Sequence, residues 1–362
     1  NKDDLEELMK KFFCILLFVI MINTVAFASS ELPEYIRVKL KDGSIIEVEL
    51  ETYLYSVVQS EMGISYKSTD MTESEPVPLE ALKAQAVASR SYAISKINSL
   101  GEDAEYHVQS TTTSQVYNEN ANINKNVKKA VDETAGQVMT YDDEIICAYF
   151  FSTSGGYTEA PENVWPSSVP YLKAVKDEYE IEVDNCTTWK AVYTMAEISS
   201  KIGNIGKVED VKILERSEND RVTKLKIIGD KGTKILEKDK IRAVLGATKL
   251  RSQWFDVEID GDDVIFTGRG NGHGVGMSQN GAIGMALKGF DYEEILEWYY
   301  TDIEILGSKS NNSSNSNDDN KYPEQHIEID EEETKSKPLL EKLVNVLSTN
   351  WLENSIMKKD SE

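Results

Sequence analysis

Glu61 closes a pattern in which Leu54, Val57, Val58 and Met62 recur at helical spacing, with Gly63 as its stop. In a last helical turn the dipole disfavours negative charge, and apolar neighbours disfavour it further, so both raise a carboxyl's pKa. A carboxyl that keeps its proton near neutral pH is a general acid. Glu80 is the reverse case. It stands in the first turn of the next helical pattern, where free N–H groups favour the ionised form, and it reads as structural. Lys83 and Arg90, seven residues apart on that second helix, emerge on one face about two turns from each other. Further on, Gly268 to Gly276 has glycine at every second position, with His273 in the middle. Without Cβ atoms such a backbone takes positive φ angles and lets a ligand or another strand come close.

Several chemistries are excluded by spacing. No G-x-G-x-x-G register fits between Gly268 and Gly284, and no phosphate-loop Lys-Ser/Thr follows. A G-x-S-x-G elbow is absent, which removes one common serine-hydrolase frame. Cys147 could pair with His273, but it lies in an apolar run where burial keeps thiols inert. With three histidines and no clustered Cys/His spacing, a zinc site is not expected, nor is any cofactor. A net charge of −24 argues against nucleic acid, whose binding rests on neutralising phosphates.

The elements that must position these side chains are short and mixed. Residues 36–50 alternate on both sides of Asp42-Gly43 and predict a β-hairpin. Helices are predicted over Glu51–Met62 and, after Pro76-Val77-Pro78, over Leu79–Ile97; the segment from Ile64 to Glu75 between them is polar and reads as a loop. Strand-like segments follow at 110–117, 137–141 and 145–151, with a polar helix near Asn124–Thr134. Ser152-Thr153-Ser154-Gly155-Gly156 reads equally as a ligand-facing loop or an ordinary turn. Residues 205–267 form a β-rich lobe leading into the glycine run, and helices over Ala282–Leu287 and Tyr292–Tyr300 close the body, the second opened by an Asp291/Glu294 capping box. With no βαβ repetition, the fold class is α+β.

The two ends differ from the body. Met9-Lys10-Lys11, the apolar run Phe12–Ile22 and Ala26-Phe27-Ala28 read as a secretory signal or a retained membrane anchor over residues 1–28, which places the rest outside the cytoplasm, secreted or held at the cell membrane. In that compartment Cys147 and Cys186 form one disulfide or stay as thiols. Residues 307–362 make an acidic low-complexity tail, expected to be disordered, with a short amphipathic helix carrying Leu340, Leu343, Val344, Leu347 and Trp351.

Four motifs in order carry a resemblance: Ser60-Glu61-Met62; Pro78-Leu79-Glu80-Ala81-Leu82-Lys83-Ala84-Gln85-Ala86 through Ala93; Phe151-Ser152-Thr153-Ser154-Gly155-Gly156-Tyr157-Thr158; and Gly272-His273-Gly274-Val275-Gly276-Met277-Ser278-Gln279. Together they resemble the stage II sporulation protein D family, which includes amidase enhancers, and the similarity runs over roughly 36–306, within a catalytic domain of 29–306. The resemblance implies a peptidoglycan lytic transglycosylase that cuts peptide-free glycan strands and leaves 1,6-anhydro ends. The alternative is a glycan-binding module that enhances a cell-wall amidase. It implies Glu61 as the acid, Lys83 and Arg90 as groups holding the sugar's acyl or lactyl substituents, and Ser154, Tyr157, His273 and Gln279 as residues shaping the glycan cleft, with His273 a candidate to orient Glu61. Implied partners are glycan strands, an amidase and membrane proteins of sporulation. The segment 64–75 is an insertion relative to the usual pattern, in the place where a lid could act.

Overall fold

The computed structural model describes residues 32–101 and 103–307. The expected leader or anchor and nearly all of the acidic tail lie outside the described residues. Within them, no helix is long and apolar enough to cross a membrane.

Among the described residues, seven α-helices and several small sheets make an α+β body: α1 (Leu50–Met62), α2 (Leu79–Leu100), α3 (Lys125–Glu133), α4 (Met195–Ile202), α5 (Lys240–Leu245), α6 (Gln279–Leu287) and α7 (Tyr292–Tyr299). The first hairpin pairs Tyr35–Lys39 with Ile45–Glu49, and Asp42 Oδ1 accepts from the Ser44 amide at 2.9 Å to close its turn. Its chain runs directly into α1, which ends at Gly63 with φ +74°.

The protein has two hydrophobic cores. In the first, the alanine-rich α2 is the central rod, with Ala81, Ala84, Ala86, Ala88 and Ala93 all buried so that α1, α3, α6 and α7 pack close to it. Small side chains permit that crowding on several faces at once. Two polar caps fix the approach: Asn124 starts α3 by accepting from the Asn126 amide at 2.8 Å, and Asp291 with Glu294 forms the expected capping box of α7. Glu80 is indeed structural. It bonds Lys83 at 2.9 Å and accepts from the Tyr292 amide at 3.1 Å, tying the start of α2 to the start of α7.

The second core lies in the β-rich lobe. One sheet pairs Val208–Arg216, Val222–Gly229 and Gly232–Glu237; the other pairs Phe255–Asp260, Asp263–Arg269 and Thr188–Thr194. Trp189, Tyr193, Phe255 and Phe266 fill the space between them and the helices α4 and α5. The lobe starts earlier than expected because Thr188–Thr194 belongs to it, in strict alternation with Trp189, Ala191 and Tyr193 inward.

Three expected elements differ. Residues 110–117 are not a strand; only Val108–Gln109 pairs, and the rest turns back over α1. The apolar run 145–151 is broken: Glu144–Ile145 pairs with Val138–Tyr141, whereas Phe150–Phe151 pairs in parallel with Met277–Ser278. The chain changes sheets between them, so Cys147 lies outside the ladders, its amide donating to Tyr171 Oη at 3.1 Å. The insertion at 64–75 is ordered as a two-stranded hairpin of Ser65–Tyr66 and Glu75–Pro76, and the Thr69 amide donates to the Glu182 carbonyl at 2.9 Å. Cys147 and Cys186 are unbridged thiols.

Candidate active site

Glu61 is held where α1 meets the loop at 110–117 and the start of α6. The inward residues Leu54, Val57 and Val58 turn this face of α1 to the core, and no basic side chain occupies its last turn. The carboxylate Oε1 accepts the Val116 amide at 2.6 Å, and the Gln279 side chain supplies a second hydrogen bond. Burial raises the Glu61 pKa above the ordinary glutamate value, while these two hydrogen bonds act in the opposite sense; burial is the larger effect.

The two hydrogen bonds belong to one closed polar circuit. Gln279 Nε2 donates to Gln85 Oε1 at 3.2 Å, and Gln85 Nε2 donates to Ser89 Oγ at 2.9 Å. The Ser89 carbonyl accepts from Gln115 Nε2 at 3.2 Å, and Gln115 Oε1 accepts from Tyr53 Oη at 3.0 Å. Val116, next in sequence, returns to Glu61. Tyr53, Gln85, Ser89 and Gln115 are all fully buried, so each group has few alternatives to the bond it makes. Satisfied circuits of this kind fix side-chain geometry, here that of one carboxyl.

A cleft of ≈ 420 Å³ has walls that include Tyr92, Lys96, Tyr149 and Trp165. Burial pushes the Tyr92 hydroxyl up to about 12, with smaller contributions from Cys147 and from the Glu61 charge. Tyr149 and Trp165 have ring centroids 4.7 Å apart. Flat apolar faces with a few polar groups suit the apolar faces of pyranose rings.

Of the residues expected at the site, Gln279 alone joins Glu61 directly. Arg90 is fully buried and committed to Glu51, with Nε on Oε1 at 2.7 Å and Nη2 on Oε2 at 2.6 Å, while Nη1 donates to the Gln137 carbonyl at 3.1 Å. With no exposed surface, its guanidinium serves this internal pairing between α2, α1 and the strand at Val138–Tyr141. Lys83 is bound by Glu80 and Glu133, each at 2.9 Å, and joins α2 to α3. Helical spacing shows that two cations share a face; it does not show that the neighbouring elements bring carboxylates to them.

Ser154 and Tyr157 stand around Arg221, and Glu180 accepts from both the Ser154 amide and Ser278 Oγ, next to Gln279. Ser154 is buried; its amide donates to Glu180, its Oγ accepts from the Gly156 amide at 2.9 Å, and its carbonyl accepts from Arg221 Nη2 at 2.8 Å. The Tyr157 carbonyl accepts from the same nitrogen at 3.0 Å, and its ring stands 6.4 Å from that of Trp254. The same polar knot includes Asp177, whose carboxyl burial and the Glu180 charge push up to about 7.

His273 does not orient Glu61. Its Nδ1 accepts from the Val275 amide at 3.1 Å, and its ring packs against Trp165 and Phe151 at 5.1 and 5.5 Å. The ring retains some surface exposure, yet protein atoms surround it closely, and burial followed by the Arg242 charge lowers its pKa to about 3. It is therefore neutral at neutral pH and supports the cleft wall from behind Trp165.

The glycine run also has a different purpose from the open surface its spacing suggests. A Cβ on Gly276 would stand 2.0 Å from the Tyr149 carbonyl oxygen, one on Gly274 2.8 Å from Arg221 Cζ, and one on Gly272 2.7 Å from Phe151 Cβ. The bare backbone admits the protein's own atoms. Its service to the site is to bring Ser278 and Gln279 to the start of α6 with the Gln279 amide facing Glu61. Sequence reasoning missed Gln85, Gln115, Tyr92, Lys96, Tyr149 and Trp165; the signal for the glutamines was a polar amide set in an otherwise alanine-rich stripe.

Comparison with known proteins agrees with the motifs. Residues 41–141, which hold Glu61 and Gln85, match the family described as stage II sporulation protein, and residues 174–276 match a domain of unknown function, DUF8618. The chain is 35% identical over 299 residues to stage II sporulation protein D of Bacillus subtilis (strain 168), covering 78% of this chain and 81% of that protein. An uncharacterized protein of Brachyspira hyodysenteriae is 32% identical over 268 residues, 72% of this chain and 67% of its own. The amidase enhancer of B. subtilis is 31% identical over 270 residues, 61% of this chain but 37% of the longer relative. Identity of this extent, running through the segments that build the acid and its polar circuit, places the chain in the stage II sporulation protein D family.

Proposed function

We propose that the chain is a peptidoglycan lytic transglycosylase acting on peptide-free glycan strands. The observation that carries this reading is Glu61: a carboxyl raised in pKa by burial and held by the Val116 amide and Gln279. Protonated Glu61 gives its proton to the glycosidic oxygen as the C1–O4 bond breaks. The resulting carboxylate takes the proton of the sugar's C6 hydroxyl, whose oxygen bonds to C1 and closes the 1,6-anhydro ring. The acid is regenerated and no water is consumed, so one carboxyl suffices where hydrolytic glycosidases use a pair. Setting is proposed from kinship: the relatives named for stage II sporulation suggest wall remodelling outside the cytoplasm, in concert with an amidase and membrane partners.

The relative named amidase enhancer keeps a second reading in view, a glycan-binding module that stimulates an amidase. Mass spectrometry of the sugars released from peptide-free strands by the purified chain separates the two. An enzyme yields anhydro-ended fragments; an enhancer yields none with or without an amidase, because an amidase cuts the lactyl–peptide amide and not the glycan.

A further inference from the structure

We infer that Lys96 is the specificity-determining cation of the cleft, and that it selects peptide-free strands by pairing with the free lactyl carboxylate of the muramic sugar. This rests on the glycan-cleaving reading above and names what that site recognises.

Lys96 follows Tyr92 by one helical turn of α2, so both side chains leave the same face. Its ammonium lies 5.0 Å from the centroid of the Tyr92 ring and 5.7 Å from that of Tyr149. Ring faces hold a cation in place without cancelling its charge. Among the described residues no carboxylate pairs with it, whereas Lys83 and Arg90 on the same helix are both committed to glutamates. Lys96 is thus a half-buried positive charge kept available in a cleft wall, on a chain whose net charge of −24 gives an anionic polymer no general attraction. The ligand group such a site fits is a single carboxylate on a sugar. When a stem peptide is attached, that carboxylate has become an amide; its charge is gone and a chain of residues projects where the ammonium stands. One side chain therefore senses the absence of the peptide.

The test uses the full chain carrying Glu61→Gln, so that glycan is bound and not cut. Two probes are compared: peptide-free strands with free lactyl carboxylates, and the same strands with those groups converted to methylamides. The expected result is about tenfold tighter binding of the carboxylate form, a charge-assisted contact of ordinary strength. Adding Lys96→Met should bring both probes to the weaker affinity, with an unchanged melting temperature, and adding Lys96→Arg instead should keep the preference. An equal preference with Met at position 96, or no preference in the parent, overturns the inference. If the parent shows no preference while the wild-type chain still releases anhydro ends, Lys96 alone has lost its role. If neither probe binds and no anhydro ends form, the glycan-cleaving reading falls as well.

Discussion

Gln279 Nε2 donates to Gln85 Oε1 at 3.2 Å across 194 residues of sequence, and through that contact the start of α6 is locked to the middle of α2. The same side-chain amide bonds the Glu61 carboxyl. Its position therefore contributes, with burial and the Val116 amide, to the proton affinity of the proposed acid.

Gln279→Leu should move the pH–rate profile in a defined direction. The amide hydrogen bond favours ionised Glu61, so its loss raises the Glu61 pKa further. Because the first step needs the protonated form, the alkaline limb of the profile should shift to higher pH while the maximal rate falls about 10- to 100-fold from lost orientation. The rate profile of wild type and variant across the pH range is the measurement.

Arg90→Met is expected to act on stability and not on glycan recognition. Removing the guanidinium leaves Glu51 and the Gln137 carbonyl without their partner, at a cost of about 3 to 5 kcal/mol. Pairing it with Glu51→Leu should recover much of the loss. Urea denaturation of the single and double variants checks both statements, and glycan affinity of the folded fraction should stay within about twofold of wild type.

Gly276→Ala tests whether the glycine run is packed by protein. A methyl group there meets the Tyr149 carbonyl at 2.0 Å in a backbone of φ +78°, so strain and overlap together should cost about 2 kcal/mol or more. A substitution that weakens glycan binding with full stability would return the run to the role its spacing first suggested.

Asp177 gives the fold a pH dependence of known sign. Its folded pKa, pushed to about 7 by burial and by Glu180, lies above that of the unfolded chain. Its contribution is therefore fully present below the ordinary aspartate range and is lost as pH rises through about 7. Denaturation midpoints should fall between about pH 4 and pH 8 in the wild type, and Asp177→Asn, which still accepts from Tyr299 Oη, should flatten that slope.

The place of Glu61 in the last turn of α1, and α2 after it, were legible because each rests on local rules: apolar spacing, a glycine stop and a proline start. The Asn124 cap, the Asp291/Glu294 box and the hairpin over 35–49 were legible for the same reason. The partners of Arg90, Lys83 and His273, namely Glu51, Glu133 and the Trp165 ring, were not legible because they come from other elements. The break within 145–151 escaped notice because an apolar run looks alike whether it stays in one sheet or crosses between two. Thr188–Thr194 did carry a period-two signal, in Trp189, Ala191 and Tyr193.

In the proposed reaction Glu61 alone moves the proton, in a cleavage that uses no water. Digestion of peptide-free strands in ¹⁸O-labelled water, with wild type and Glu61→Gln side by side and the products weighed by mass spectrometry, tests it most directly. Anhydro ends free of ¹⁸O are expected from the wild type, with a rate at least about 1,000-fold lower from the variant. Labelled reducing ends, or undiminished cleavage by Glu61→Gln, would contradict it.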